Sequence, residues 1–307
     1  MKADTPSATA ILIAKSLVFA AGDARYRALM PREMVELSRA FLAGAVSASA
    51  VKVFGGLGRL PPARWLVRLI ERTSVPGMIG HYILRKRRFE ELVGATAARF
   101  GGLDQLVIMG AGLDPLGTRM ARARPDLRVY EMDHPATSAA KKSAFTRGFT
   151  ALPHNLTQLA VDLGAVDPRT VLRATRGFSF EVRTLFIAEG VFMYLTLEAV
   201  GRTLDILLDF PETSAAFAFT YMSSSDQSGR PAFVGQKRSV DRWLGRQREP
   251  FVWGATPAML DEFIRERKLR SLAHADAASL RAAYLTTGSL QSVATAVGEN
   301  IAWVERA

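Results

Sequence analysis

The sequence predicts an α/β fold: a mostly parallel seven-stranded sheet with helices on both faces, a helical cap over residues 1–94, and a core over 95–307 carrying a lid insertion at about 223–254. Three observations carry that expectation. Leu106-Val107-Ile108-Met109 is an apolar run without polar alternation, as a strand buried on both faces requires. From Gln105 onward strand-like and helix-like runs alternate, which calls for crossover connections and parallel pairing. The first strand then breaks at Gly110-Ala111-Gly112, where glycine lets the backbone turn sharply beside a ligand.

The elements follow in order. After Lys2 and Asp4, the apolar stretch Ala8 to Ala21 is interrupted by Lys15, lacks a small-residue cleavage site and is too short to span a bilayer. It reads as an amphipathic helix packed on the domain. Gly55-Gly56, Gly58, Pro61-Pro62 and Pro76-Gly77 punctuate the remaining helical region. Strands are expected at Gln105–Met109, Leu127–Met132, Gln158–Val161, Thr184–Ala188 and Ala215–Tyr221, with helices at Ala136–Arg147 and Leu197–Asp209 between them. Ser223 to Gly254, with Gly229, Pro231, Gly235 and Pro250, is too long for an ordinary connection and reads as a lid. Thr256 is an N-cap candidate for a helix over Pro257–Lys268. Arg270–Ala273 and Asn300–Glu305 read as a terminal antiparallel pair.

Composition narrows the class. At 49% hydrophobic and 22% charged, the chain is an ordinary globular protein. The absence of cysteine excludes disulfides, thiolate metal sites and a cysteine nucleophile, and it fits a cytoplasmic setting. Four histidines, at 81, 134, 154 and 274, are too scattered to suggest a metal site. The net charge of +11 fits either an arginine-rich codon bias or an anionic partner. The Arg64, Arg68 and Arg72 stripe and the Arg85-Lys86-Arg87-Arg88 block read mainly as solvated faces. No nucleic-acid module accompanies them, so nucleic acid is not an expected partner. Nothing in the sequence sets the oligomeric state.

The second strand ends in Glu131 and Asp133. A glycine turn after one strand and a carboxylate after the next form a cradle for a nucleoside, the carboxylate taking two ribose hydroxyls. A dinucleotide fingerprint would need glycine at 115, where Pro115 stands, with Gly117 two residues late. Pro115 removes an N–H donor, and Asp114 puts negative charge where a pyrophosphate would lie. Both suit a ligand with an amino-acid tail, which points to S-adenosyl-L-methionine. The rivals are a Rossmann NAD(P)-dependent oxidoreductase, a non-catalytic cofactor-binding regulator on the same fold, and a glycine turn without a ligand.

GAGLD (Gly110 to Asp114), EMDHPAT (Glu131 to Thr137), VDL (Val161 to Leu163) and IAEGVFMYLT (Ile187 to Thr196) resemble, in that order, the signatures of the leucine carboxyl methyltransferase family. Ser7 to Ser16 and Pro76 to Val93 resemble its N-terminal helix and its arginine-bearing segment, so the likeness covers most of residues 7–210. It implies a Rossmann-like class I methyltransferase core using S-adenosyl-L-methionine, in a family whose bacterial members include O-methyltransferases of secondary metabolism. It further implies that Gly110, Ala111 and Gly112 run beside the methionine part of the cofactor. Asp114 would receive the ammonium or cap the next helix. Asp133 or Glu131 would take the ribose. Asp162 and Leu163 would hold the adenine, with capping the alternative for Asp162, and Glu189 would lie near the cofactor. Arg85 would pair with the cofactor carboxylate, with Arg87 and Arg88 as neighbouring registers.

The chain departs from the family where Pro115 replaces threonine, and it lacks the second N-terminal basic residue of peptide-methylating members. A small-molecule acceptor is therefore expected, methylated on a carboxylate or hydroxyl oxygen. No Asn/Asp-Pro-Pro-aromatic motif supports base N-methylation. Tyr194, Tyr221 and His154 lie near strand ends without a dyad partner, so no catalytic base is named. Trp243 and Trp253, with Phe233 and Phe251, are candidate walls of the acceptor pocket beside Tyr194 and Tyr221. Lys237, Arg238, Arg242, Arg246 and Arg248 suggest an acceptor bearing a carboxylate or phosphate-like charge, against a plain surface loop.

Overall fold

The computed structural model describes residues 5–224 and 231–307; Lys2, Asp4 and Gly229 lie outside the described residues. Helices α1 (Ala8–Ala20), α2 (Ala24–Arg27), α3 (Arg32–Ala45), α4 (Ala48–Leu57), α5 (Pro61–Arg72) and α6 (Met78–Arg99) precede the first strand. The core then runs β1 (Gln105–Met109), α7 (Leu116–Ala123), β2 (Arg128–Asp133), α8 (Pro135–Thr146), β3 (Leu156–Ala160), α9 (Pro168–Ala174) and β4 (Thr184–Ala188). It continues with α10 (Leu197–Leu204), β5 (Ala215–Met222), α11 (Arg238–Gln247), α12 (Pro257–Glu266), β6 (Leu269–Ala275), α13 (Ala277–Tyr284) and β7 (Glu299–Arg306). Short 3-10 turns lie at Phe192–Tyr194, Asp205–Asp209 and Gly288–Ser292. Two expectations shift here. The helix read over Leu197–Asp209 tightens into a 3-10 turn from Asp205, and the insertion read as a lid contains a helix, α11, that the sequence reading did not assign.

The sheet order is β3-β2-β1-β4-β5-β7-β6. β1 pairs in parallel with β2 and β4, and β7 alone runs against its neighbours β5 and β6. The chain therefore winds outward from β1 to β3, then crosses back to β4. The carboxyl ends of β1 and β4 flank that reversal, where open parallel sheets leave a crevice.

Strand alternation divides the core in two. Leu106, Ile108, Leu185 and Ile187 face α1, α6 and α13. Val107, Met109, Phe186 and Ala188 face the opposite layer with Phe217, Phe219 and Leu260. All five residues of β1 and of β4 are buried, which is why their sequences lack polar alternation. The third glycine the sequence places late, Gly117, has a packing reason. A Cβ there would lie 2.3 Å from Glu131 Oε1.

Candidate functional site

The crevice begins with the turn after β1. Gly110 and Gly112 have φ of 67° and 51°, a left-handed region that glycine enters without strain. A Cβ on Gly110 would sit 2.3 Å from Val191 Cγ2, so β4's own loop closes against this turn. The Gly112 N–H donates to Asp133 Oδ2, and the His134 N–H donates to Asp133 Oδ1 at 2.6 Å. Burial pushes the Asp133 carboxyl up to about 6, although those two N–H groups favour its ionised form. Glu131, the alternative ribose carboxylate, turns away. It is buried against Lys141 Nζ at 2.7 Å, while Asp133 lines the crevice.

A charged network forms the floor. Arg85 donates from Nε to Glu189 Oε1 at 2.8 Å and from Nη1 to both Glu299 oxygens at 2.7 Å. Its Nη2 has no hydrogen-bond partner among the described residues and lies beside Gly190. Lys86 Nζ donates to Asp114 and, at 3.1 Å, to Glu189. His81 Nε2 meets Glu299 at 2.7 Å. Burial opposes the charge on Arg85, and the Glu299 and Glu189 carboxylates more than offset it, so its pKa lies above the ordinary value. Burial works against ionising Glu299, but Arg85 and His81 overcome it and hold the carboxyl at about 2. Burial dominates at Glu189, whose pKa is raised.

This corrects the reading of the basic block as a solvated face: Arg85 and Lys86 are only 3% and 5% exposed. Asp114 is engaged by two partners within the protein. Its Oδ1 accepts the Leu116 N–H at 2.7 Å at the start of α7, and its Oδ2 receives an ammonium, that of Lys86.

Two cavities meet here. The first, about 440 Å³, is lined by Arg85, Gly110, Ala111, Gly112, Asp114, Asp133, Asp162, Leu163 and Glu189, which brings together every proposed cofactor residue. Helix α1 roofs it through Ala10, Ile13, Ala14 and Leu17. The second, about 580 Å³, is walled by apolar side chains of α1, α4, α5, α6 and the insertion, including Phe54, Val67, Met78, Phe233, Trp243 and Phe251. Thr9, Ile13, Arg85, Gly190 and Tyr194 line both. Burial raises the Tyr194 phenol pKa, so it stays protonated at neutral pH.

The remaining pocket candidates separate. Trp243 lines the second cavity, but Tyr221 and Trp253 do not reach either one. Both are core residues on the other sheet face, Tyr221 1% exposed and Trp253 packed against Phe192 and Phe263. Among the described basic residues of the insertion, only Arg248 reaches either of these cavities; Lys237, Arg238, Arg242 and Arg246 are exposed.

Sequence reasoning missed Lys86, His81, Glu249 and Glu299. The spacing of His81 and Arg85 places them on one helix face, a signal available in the sequence. Glu299, more than two hundred residues away, carries no local signal. Glu249 ties the insertion to α1: its carboxylate accepts the Ala8 and Thr9 N–H groups at 3.1 Å and the Thr9 hydroxyl at 2.6 Å.

A family model described as leucine carboxyl methyltransferase matches residues 41–208, more than half of the chain. The chain belongs to the leucine carboxyl methyltransferase family. A Mycobacterium avium protein is 36% identical over 121 residues, 39% of this chain and 37% of that protein. A Mycolicibacterium gilvum protein is 29% identical over 189 residues, 60% of each. Both carry the provisional name S-adenosyl-L-methionine-dependent methyltransferase. This member of the family thus spans between 37% and 60% of the length of these curated relatives. Among solved structures, a DUF574 family protein of Streptomyces avermitilis superposes with a TM-score of 0.55 at 15% identity, over 80% of this chain and 91% of that one. A provisionally named methyltransferase of Thermobifida fusca gives 0.53 at 16% identity, over 81% and 90%. These two likenesses establish the shared fold.

Proposed function

We propose that this family member is an S-adenosyl-L-methionine-dependent methyltransferase that methylates a carboxylate or hydroxyl oxygen of a small, largely apolar acceptor, such as a secondary metabolite. The observation that carries the cofactor is the charge of the first cavity. Asp114, Asp133, Asp162, Glu189 and Glu249 line it against Arg85, Lys86 and Arg248. An excess of carboxylates favours a ligand bearing a sulfonium and an ammonium and opposes a pyrophosphate. The residues fit: Asp133 has lone pairs left for two hydroxyls, Asp162 and Leu163 stand at the far end for a purine, and Arg85 Nη2 is free for a carboxylate.

When bound, the cofactor supplies an electrophilic methyl carbon. The chain's part is alignment and exclusion of water, which can supply most of the rate gain in a direct displacement. The second cavity opens onto the first at Gly190 and Tyr194, so an acceptor oxygen held there faces the cofactor end of the seam. Of the side chains shared by the two cavities, Ile13 is apolar, the Thr9 hydroxyl donates to Glu249, and Arg85 and Tyr194 are held protonated, so they offer hydrogen-bond donors but no base. That favours an acceptor already ionised at neutral pH, a carboxylate first. Calorimetric titration with S-adenosylhomocysteine and with NADH tests the reading. The expected result is binding of the first alone, and binding of only the dinucleotide would overturn it.

A further inference from the structure

Helix α5 is built inside out. Its twelve residues, PPARWLVRLIER, include none that is buried. At about 100° per residue, Trp65, Leu66, Leu69 and Ile70 fall on one face. All four are exposed, Trp65 at 64%. A helix packed on a globular core turns such a stripe inward, as α3 does with Met34, Val35, Phe41 and Leu42. Arg64, Arg68 and Arg72 form an adjoining stripe along the edge of that apolar face. Arg68 reaches Asp23 at 3.3 Å, and Arg64 and Arg72 have no acidic partner among the described residues. The preceding helix and its loop also expose Val53, Leu57 and Leu60, together with Arg59.

Tryptophan and aliphatic side chains on one face with arginines at its edge is the pattern of a helix that lies in the plane of an anionic membrane surface. A nucleic acid would match the arginines and leave the apolar face in water. A second copy of this chain would match the apolar face but oppose +11 to +11. The patch also adjoins the second cavity, whose rim includes Leu12, Phe54, Val67 and Ile70.

We infer that α5, with the end of α4, docks this protein on an anionic lipid surface and turns the mouth of the apolar cavity towards the bilayer, from which an apolar molecule enters. The docking stands on exposure and charge alone; only the use of the entering molecule as an acceptor rests on the methyltransferase reading.

The test is co-sedimentation of the full chain with vesicles of phosphatidylcholine, with and without phosphatidylglycerol. Binding is expected only with the anionic lipid. Arg64→Gln/Arg68→Gln/Arg72→Gln should weaken it about tenfold or more, given the attraction of each basic residue to such a surface. Trp65→Ser/Leu69→Ser should weaken it comparably. Arg238→Gln/Arg242→Gln/Arg246→Gln, which removes the same charge elsewhere, should leave it within about twofold if docking is local. Affinity for S-adenosylhomocysteine, measured without vesicles, should be unchanged in all three variants, so a failure of docking is separable from a failure of the cofactor reading. Three outcomes would overturn the inference: no binding by the parent chain, equal loss in the charge-matched control, or a dimer that the Trp65→Ser/Leu69→Ser variant splits while vesicles bind neither.

Discussion

At the residue scale, Asp133 is the most exposed to test. Its carboxyl accepts two backbone N–H groups and still sits at about 6 because burial penalises the charge. The sign follows: with a folded pKa above the ordinary 3.8, the ionised form costs stability that is regained as pH falls through 6. Hydroxyl donors from a ligand would favour the ionised form, so affinity for S-adenosylhomocysteine should weaken as pH drops below about 6. Asp133→Ala should leave the protein folded and remove about 2–3 kcal/mol or more of binding, read by calorimetry. Unchanged affinity would remove the ribose assignment.

Glu299 behaves oppositely. Its folded pKa is held at about 2 against 4.5, so the stability it supplies is fully present above 4.5 and disappears as pH falls towards 2. Glu299→Gln leaves Arg85 partly unpaired in the interior and should cost about 3–5 kcal/mol at pH 7. Urea denaturation at pH 7 and at pH 3 should show the loss shrinking with acidity. A loss independent of pH would mean the carboxylate matters by shape rather than charge.

At the element scale, the N-terminal end of the roof over the first cavity is tied down by segments distant in sequence. Helix α1 ends its N-terminus on Glu249, with Ser7 capping Ala10 and Thr137 taking the Ser7 N–H at 3.0 Å. Glu249→Ala should cost about 1 kcal/mol and speed hydrogen exchange across residues 8–20. Exchange at the parent rate would show that α1 is held elsewhere. The two tryptophans of the insertion should now part company. Trp243→Ala should impair acceptor use and spare cofactor affinity, because Trp243 lines only the second cavity. Trp253→Ala should instead destabilise the fold by about 3–5 kcal/mol, because it empties a core site. Thermal melts beside turnover on any accepted substrate would reveal a reversal.

Most elements were legible because their signals are local. β1 and β4 appear at the residues their apolar runs mark, and Thr256 caps α12 through the Met259 N–H at 3.2 Å. Helix α11 inside the insertion has no clear sequence signal because its apolar side chains are sparse: Leu244 alone is buried.

At the scale of the whole molecule, the displacement proposed here needs no Lewis acid, and no group of three metal-ligating side chains occurs among the described residues. Turnover should therefore persist with EDTA, and activity lost to the chelator and restored by magnesium would refute this. The basic excess and the carboxylate-rich cavity coexist because the arginines lie mainly outside while the pairs inside are neutralised. Net charge consequently predicts the outer surface and says nothing of the cofactor site.

What the sequence by itself determined is the mostly parallel sheet and the positions of Gly110, Gly112, Glu131, Asp133, Asp162 and Glu189 at or near strand ends, because strand periodicity and glycine turns are properties of a few consecutive residues, whereas the strand order and the choice of Asp133 over Glu131 for the crevice came from the structure. It also placed Arg85 in that site through family resemblance. Only the tertiary structure decided which charges are buried. Arg85 and Lys86 belong to a block that looks solvated, and they become interior once Glu189, Glu299 and Asp114 arrive from three separate segments. The same holds for aromatic residues. Trp243 and Trp253 are ten positions apart, yet one faces a cavity and the other the core, because the side a residue presents depends on what packs against its segment.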